Sequence, residues 1–551
     1  MLRLFMRKST RATWFLLLFI YPACIFSNPQ EKYTVPLSDS ISLATFVFRA
    51  NSADSITNPN ILVRTKEPVP RYEKIGEFFS AHGYNFIVQY TRGSMESGSK
   101  DSFFLTDGAG EQQDGVKTIQ WITSQPWSDG KIGIFGFGID GYLGHLLATT
   151  GHPALRGAYI LAAPYNFYED VVFPGGAYRK NFLETWTAEV GAKYLLNTLM
   201  MTPYATSFWY PLTNERKVES VNIPICHVGG WFQPFLRGTV SAFNALSHKG
   251  MTPGKMYQYL VLGPWTQNQG TYSDPRQGNL EYPANSTFDY MQHALEFFDR
   301  WVKNQPQDSL SIVEVAQQNK IRYYLMGDEN NAGTWVEASS WPPENAKYAI
   351  FYLQKNGKIG QRMVDKNGNA EAFRYDPVIP VETTGGANYY LPAGPMDQSE
   401  LEKRKDVLTF TTESLSSPVT VAGPIKFRLY ASSSAFDTDF TVQLTDVYPD
   451  GRSMLLAEGI IRARHRNTTR ESELLEPKKV EKYIIDLGHL ANVFASGHRI
   501  RVNISSSNSP KFEPNPNSPK PFHRGKDLAV AINYVYYGGK RKSGLILPVI
   551  E

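Results

Sequence analysis

Short apolar runs at Asn60 to Val63, Phe86 to Val88, Ile132 to Phe135, Tyr159 to Ala162, Ile223 to Val228 and Tyr259 to Leu262 alternate with segments of helical periodicity. Runs this short, each followed by a helical pattern, argue for a mostly parallel sheet joined by crossover helices. The last helix of the series is expected over Tyr290 to Lys303, where Ala294, Leu295, Phe298, Trp301 and Val302 share one face. From about Ser311 the texture becomes all-β. Ile425, Phe427 and Leu429 alternate with polar neighbours, as do Phe440, Val442 and Leu444, and Ile500, Val502 and Ile504. Two sheets packed face to face account for that alternation.

One strand-to-helix junction carries the most chemical information. Lys131 to Phe135 reads as a buried strand and Gly141 to Thr150 as the helix that follows. Between them, Gly136-Phe137-Gly138-Ile139-Asp140 stands where an α/β-hydrolase carries G-x-S-x-G, and it has no serine. Gly138 can hold the strained backbone of such an elbow without supplying a hydroxyl. Asp140 is a second departure, because the small residue there lets strand and helix approach closely.

The words around the elbow resemble one family. His82-Gly83-Tyr84, Arg92-Gly93, Ser124-Gln125-Pro126-Trp127, Gly229-Gly230-Trp231 and Gly263-Pro264-Trp265 are similar to motifs of the Xaa-Pro dipeptidyl-peptidase and cocaine-esterase group of serine hydrolases. Gly394-Pro395-Met396-Asp397-Gln398, Asp437-Thr438-Asp439-Phe440 and Ser505-Ser506-Ser507-Asn508 resemble words of its C-terminal jelly-roll. The resemblance implies an α/β-hydrolase domain over residues 28–310, a helical cap inserted at about 165–219, and a jelly-roll β-sandwich over 311–551. It also implies where the catalytic groups belong. The family's aspartate loop reads G-W-Y-D and its histidine loop G-P-W-x-H, so these positions fall on Gln233 and Gln267. The nucleophile position falls on Gly138. The oxyanion tyrosine, which in relatives follows R-T-P, falls on Glu67 within Arg64-Thr65-Lys66-Glu67.

None of these replacements can do the work of the residue it stands for. A glutamine amide has no useful basicity near neutral pH. Gln233 cannot act as the anionic orienter of a histidine. Glu67 places negative charge where an oxyanion should develop. Substitutes within reach are poor. The Asp140 side chain is expected to leave the turn in a different direction from residue 138. His145 and His227 read as packed or surface histidines, and Ser94 and Ser97 as turn residues. The two glutamines are expected to approach each other and satisfy one another's amides.

Three readings follow: a non-catalytic family member that keeps its pocket for a small-molecule or peptide ligand, a hydrolase of esters, amides or Xaa-Pro peptides using unrecognised residues, and a structural protein of an exported assembly. No cofactor is implied. The spacing of the Asp-rich words fits no calcium loop, so they are read as turn and strand-end structure and no metal is expected.

The 551 residues, 42% of them hydrophobic, suffice for several domains. Their 56 basic and 52 acidic side chains leave a formal charge of +4, with no polybasic tract beyond the leader, which disfavours nucleic acid as a partner. Residues 1–27 read as a targeting segment: Arg3, Arg7, Lys8 and Arg11 precede an apolar stretch from Trp14 to Phe26. Export to the periplasm or the outside is expected, with membrane attachment only if Cys24 is lipidated or the leader stays uncleaved. With cleavage and soluble release Cys226 is the one mature cysteine, read as a buried thiol. Asn285, Asn467 and Asn503 begin N-x-[ST] sequons.

Overall fold

The computed structural model describes residues 30–551 apart from 38–40, 52–55, 95, 98–103, 105, 108–112, 253, 268, 305–320, 328–332, 364–365, 521 and 523–526. The leader, including Cys24, lies outside the described residues.

The first layer is a ten-stranded sheet. Its strands are β1 (Glu31–Pro36), β2 (Ser42–Phe48), β3 (Asn58–Thr65), β4 (Asn85–Tyr90), β5 (Ser128–Phe137), β6 (Leu155–Leu161), β7 (Ile225–Phe232) and β8 (Gln258–Thr266), followed, after a short ribbon of β9 (Arg276–Gln277) and β10 (Leu280–Glu281), by β11 (Ile321–Leu325) and β12 (Thr334–Ala338). The order is β1-β2-β4-β3-β5-β6-β7-β8-β11-β12. Pairing is parallel from β4 through β11 and antiparallel at both edges. Strands buried on both faces need apolar side chains in both directions, which is why β4, β7 and β8 are buried along their whole length. Helices α1 (Glu73–Ala81), α2 (Asp114–Thr123), α3 (Ile139–Ala148), α6 (Leu236–Lys249) and α7 (Tyr290–Trp301) cover the faces.

Between β6 and β7 the chain leaves the sheet and passes through α4 (Lys180–Glu189), α5 (Leu195–Met201) and several single helical turns. This stretch has its own aromatic core, with Phe167, Tyr168, Phe182, Trp186 and Trp209 buried together. Tyr389 and Tyr390 of the second layer pack against it.

The second layer is all β. Its 11-stranded sheet contains β13 (Ala346–Gln354), β14 (Lys358–Gly360), β15 (Asn369–Tyr375), β16 (Leu408–Thr411), β17 (Val419–Ser433), β18 (Asp439–Val447), β19 (Ser453–Arg462), β20 (Glu481–Phe494), β21 (Arg499–Ser505), β22 (Ala531–Tyr537) and β23 (Gly544–Ile550). The sheet branches at β17, which pairs with β20 on one edge and with β22 and β23 on the other. Ile425, Phe427 and Leu429 of β17 are buried while Lys426 is exposed, as period-two alternation requires.

The first sheet continues past residue 310. Ile321 to Tyr323 of β11 run parallel to Leu260 to Leu262 of β8, so the first sheet takes two more strands before the all-β layer begins. The layers also share one core, in which Trp231 and Leu236 join Tyr324, Trp341, Phe427 and Ile485. Trp231 stacks on Trp341 at 5.7 Å and donates its indole N–H to the Tyr324 carbonyl at 2.9 Å.

Asp437 and Asp439 are committed to buried ion pairs: Arg464 Nε lies 2.7 Å from Asp437 Oδ2, Arg462 Nε lies 2.9 Å from Asp439 Oδ1, and Asn515 Nδ2 donates to both carboxylates. Of the sequons, Asn503 is buried in β21 and Asn285 uses its amide on Gly333 and Tyr324. Asn467 is bonded to Glu473. Cys226 is a buried free thiol on β7, its pKa pushed up by burial.

Candidate functional site

Strand β5 ends at Phe137 and α3 begins at Ile139, so Gly138 alone makes the turn between them. It does so at φ 60° and ψ −122°, a conformation that L side chains rarely adopt. Its N–H is anchored on the Leu161 carbonyl of β6 at 2.9 Å. The bend is close-packed at Gly136, where a Cβ would stand 2.6 Å from the Asp140 carbonyl oxygen and from the Gly141 Cα. The closeness that a small last motif residue would provide is therefore met by Gly136 and Gly141, and Asp140 is free to point elsewhere.

A side chain at residue 138 would face Gln267. The nearest atom to a Cβ built there is Gln267 Nε2 at 3.5 Å, and no backbone stands in its way within 4 Å. Gln267 follows directly on β8 and is 4% exposed. Neither its Oε1 nor its Nε2 has a hydrogen-bond partner among the described residues. Gln233 follows β7 and is 2% exposed. Its Nε2 donates to the Thr266 carbonyl at 2.9 Å and to the Tyr272 hydroxyl at 3.0 Å, while its Oε1 has no partner among the described residues. The expected pairing of the two amides is thus corrected. The Gln233 NH₂ is taken by the residue next to Gln267 and by an aromatic hydroxyl, leaving the Gln267 amide to face the elbow without a partner among the described residues.

Glu67 lies on the other side of Gly138. Its Oε1 accepts from Trp186 Nε1 at 3.3 Å and its Oε2 pairs with Arg71 at 3.1 Å. Arg71 in turn donates to the Tyr389 hydroxyl at 2.6 Å. Phe182 and Trp186 of α4 stack above this chain. The space enclosed by Glu67, Arg71, Gly138, Phe182, Trp186 and Tyr389 is only about 10 Å³. That is roughly the least a cavity needs to hold one water.

Asp140 turns away from the elbow into a buried polar nest. Its Oδ2 accepts from Thr65 Oγ1 at 2.9 Å and from the Tyr72 hydroxyl at shorter range. Burial, helped by the nearby Glu67 charge, pushes its pKa up to about 7, against the opposing effect of Tyr72, Arg71 and Thr65. His145 and His227 stack at 5.5 Å in the interior. His227 bonds Gln258 at 3.0 Å, and burial holds both rings well below the usual histidine range. The hydroxyls of Ser94 and Ser97 both donate to the Thr91 carbonyl, as turn residues do.

Arg71, Phe182, Trp186 and Tyr389 were not singled out in the sequence. Arg71 had a local signal, four residues after Glu67. Tyr389 had none, since its place depends on how the two layers dock.

The family model for X-Pro dipeptidyl-peptidase (S15 family) matches residues 44–198 and 187–268, and that for the X-Pro dipeptidyl-peptidase C-terminal non-catalytic domain matches 314–546. The chain belongs to the Xaa-Pro dipeptidyl-peptidase and cocaine-esterase family. Within this family it is similar to cocaine esterase of Rhodococcus sp. (strain MB1 Bresler), 27% identical over 590 aligned residues that cover 94% of this chain and 98% of that one. A putative serine esterase of Mycobacterium bovis is 24% identical, over 79% of this chain and 80% of its own. Among solved structures, an aminopeptidase from a marine sediment Thaumarchaeota archaeon superimposes with a TM-score of 0.81 at 23% identity, covering 98% of this chain and 99% of that one. An alpha-amino acid ester hydrolase gives the same TM-score at 21% identity, over 98% of this chain and 100% of its own. These likenesses establish the α/β-hydrolase fold of the family with its all-β C-terminal domain.

Proposed function

We propose that this chain is an exported, non-catalytic member of its family, with Gly138, Gln233 and Gln267 at the nucleophile, acid and base positions and Glu67 at the oxyanion position. The observation that carries this reading is the elbow itself. Gly138 holds the strained turn and faces position 267, yet it bears no hydroxyl and Gln267 offers only an amide. Acyl transfer needs an attacking group, a base for its proton and donors for the oxyanion. The groups around Gly138 supply a carboxylate bound to an arginine, and about 10 Å³ of room. Asp140 is a poor substitute, since it is held in place by the bonds of its Oδ2 to Thr65 and Tyr72 and the space beside it is only about 10 Å³.

The mature protein is expected to show no turnover of p-nitrophenyl acetate or Ala-Pro-p-nitroanilide above a heat-denatured control, and no labelling by a fluorophosphonate. Labelling at a single serine would overturn the reading and identify the nucleophile that it lacks. Export is supported by the basic and apolar leader. Intact-mass analysis of the protein from a fractionated host is expected to find it outside the cytoplasm, with an N-terminus at Asn28 for soluble release or a lipidated Cys24 for an anchored form.

A further inference from the structure

A second opening, at the join between the two layers, is bordered by Gln233 and does not include Gly138. A cavity of about 200 Å³ is bounded by the ends of β7 and β19, the start of α4 and the segment around Lys511. Trp231, Leu236, Ile460 and Phe512 give it an apolar wall.

The charged groups that line it are unevenly matched. Glu458 is saturated: Oε1 accepts from Lys511 Nζ at 2.5 Å and from the Ala387 N–H, and Oε2 from Asn508 Nδ2 at 2.7 Å. Asp170 takes the backbone N–H groups of Tyr165 and Asn166, and with Glu169 it shares Arg237. Asp486 is exposed and caps the Gly488 N–H. His489 accepts from the Trp341 indole, and burial lowers its pKa to about 4, so it adds no charge at neutral pH.

Arg179 is the exception. It is 7% exposed, yet among the described residues no carboxylate lies within ion-pair distance of it. Its guanidinium rests over the Phe235 ring, donates to the Pro234 carbonyl at 3.3 Å, and leaves its Nε without a partner among the described residues. Burial lowers its pKa to about 10 despite the more distant Asp170 and Glu458. A buried cation without its own anion is costly, and a planar guanidinium with free N–H groups matches a carboxylate in geometry as well as in charge.

We propose that this cavity is a binding site for a small carboxylate-bearing molecule with an apolar body, its carboxylate received by Arg179 and its body lying against Trp231, Ile460 and Phe512. This goes beyond the non-catalytic reading and does not depend on it. An enzyme that hydrolysed p-nitrophenyl acetate could still bind such an acid, and an inert protein could fail to.

The test uses the mature protein and two matched pairs of probes, hexanoate with hexanamide and phenylacetate with phenylacetamide, titrated by calorimetry. The acids are expected to bind, and the amides to bind about ten-fold more weakly or worse, as loss of a charge-assisted bond dictates. Arg179→Gln is expected to lose the acids' advantage while keeping a cooperative thermal transition. Crystals soaked with phenylacetate are expected to show its carboxylate within hydrogen-bond distance of Arg179. Acid and amide binding equally, both failing below about 10 mM, or an acid found elsewhere on the wild-type protein would each overturn the proposal. These comparisons on the wild type decide the matter even if the variant does not fold.

Discussion

At the scale of single residues, the elbow separates geometry from chemistry. Installing Gly138→Ser, Gln233→Asp and Gln267→His together would restore the side chains in name, and a Cβ at 138 would meet only Gln267 Nε2, at ordinary contact distance, though on strained backbone. Recovery is nevertheless expected to be weak or absent. On the proposed reading Glu67 would still place a carboxylate near the developing oxyanion, and Glu67, Phe182, Trp186 and Tyr389 leave only about 10 Å³ beside Gly138. The check is p-nitrophenyl acetate turnover by the triple variant; robust activity would show that Glu67 does not obstruct the oxyanion. Asp140 makes a second prediction, through pH. Its folded pKa stands above its unfolded value, so the folded state holds the proton longer than the unfolded chain does. Its contribution is therefore most favourable below about pH 4 and is lost as pH rises toward 7, by a few kcal/mol at most. Asp140→Asn is expected to remove that loss, so that urea titrations at pH 4.5 and 7.5 differ less for the variant than for the wild type. An unchanged difference would mean that Asp140 is ionised in the fold throughout. Much of this site was legible in the chain itself, because an elbow is local: strand, glycine and helix are contiguous. The small size of the space beside Gly138 was not, since its walls come from residues 67, 182 and 389, brought together only by folding.

At the scale of elements, the clearest prediction concerns the ends of β18 and β19. The Arg464 guanidinium and the Asp437 carboxylate are both 1% exposed, and Arg464 also donates to the carbonyls of Ser518, Pro519 and Lys520. Removing one member of such a pair leaves an uncompensated charge in the interior. Arg464→Met is expected to cost about 3–5 kcal/mol of stability. Denaturant unfolding checks this, and a loss within experimental error would show that the pair contributes nothing net. The Asp-rich word reads from the sequence as turn and strand-end structure, but its arginine partners, more than twenty residues away, could not be inferred from turn chemistry. Strands behaved similarly. Period-two alternation marks a strand with one buried face, yet Ile321 to Leu325 shows that alternation does not say which sheet a strand joins. That choice is made by the edge that β8 leaves open, and the first sheet takes up β11 and β12 there.

At the scale of the whole molecule, the shared core around Trp231, Tyr324, Trp341 and Phe427 couples the two layers. Neither can expose its face of that core without the other losing buried apolar surface. Equilibrium unfolding followed by tryptophan fluorescence and by far-ultraviolet dichroism is therefore expected to give one coincident transition. Two separated transitions would show that the layers melt independently. The same docking brings Tyr389 of the all-β layer onto Arg71 beside the elbow, so the narrowness of the space there is a property of the assembled chain rather than of either layer. Cys226, sealed within β7 at the centre of the parallel sheet, adds a practical corollary. A thiol so placed meets a solution reagent only when the interior opens, so the pace at which maleimide tags it is an internal clock for rare excursions from the native state, present without any engineering.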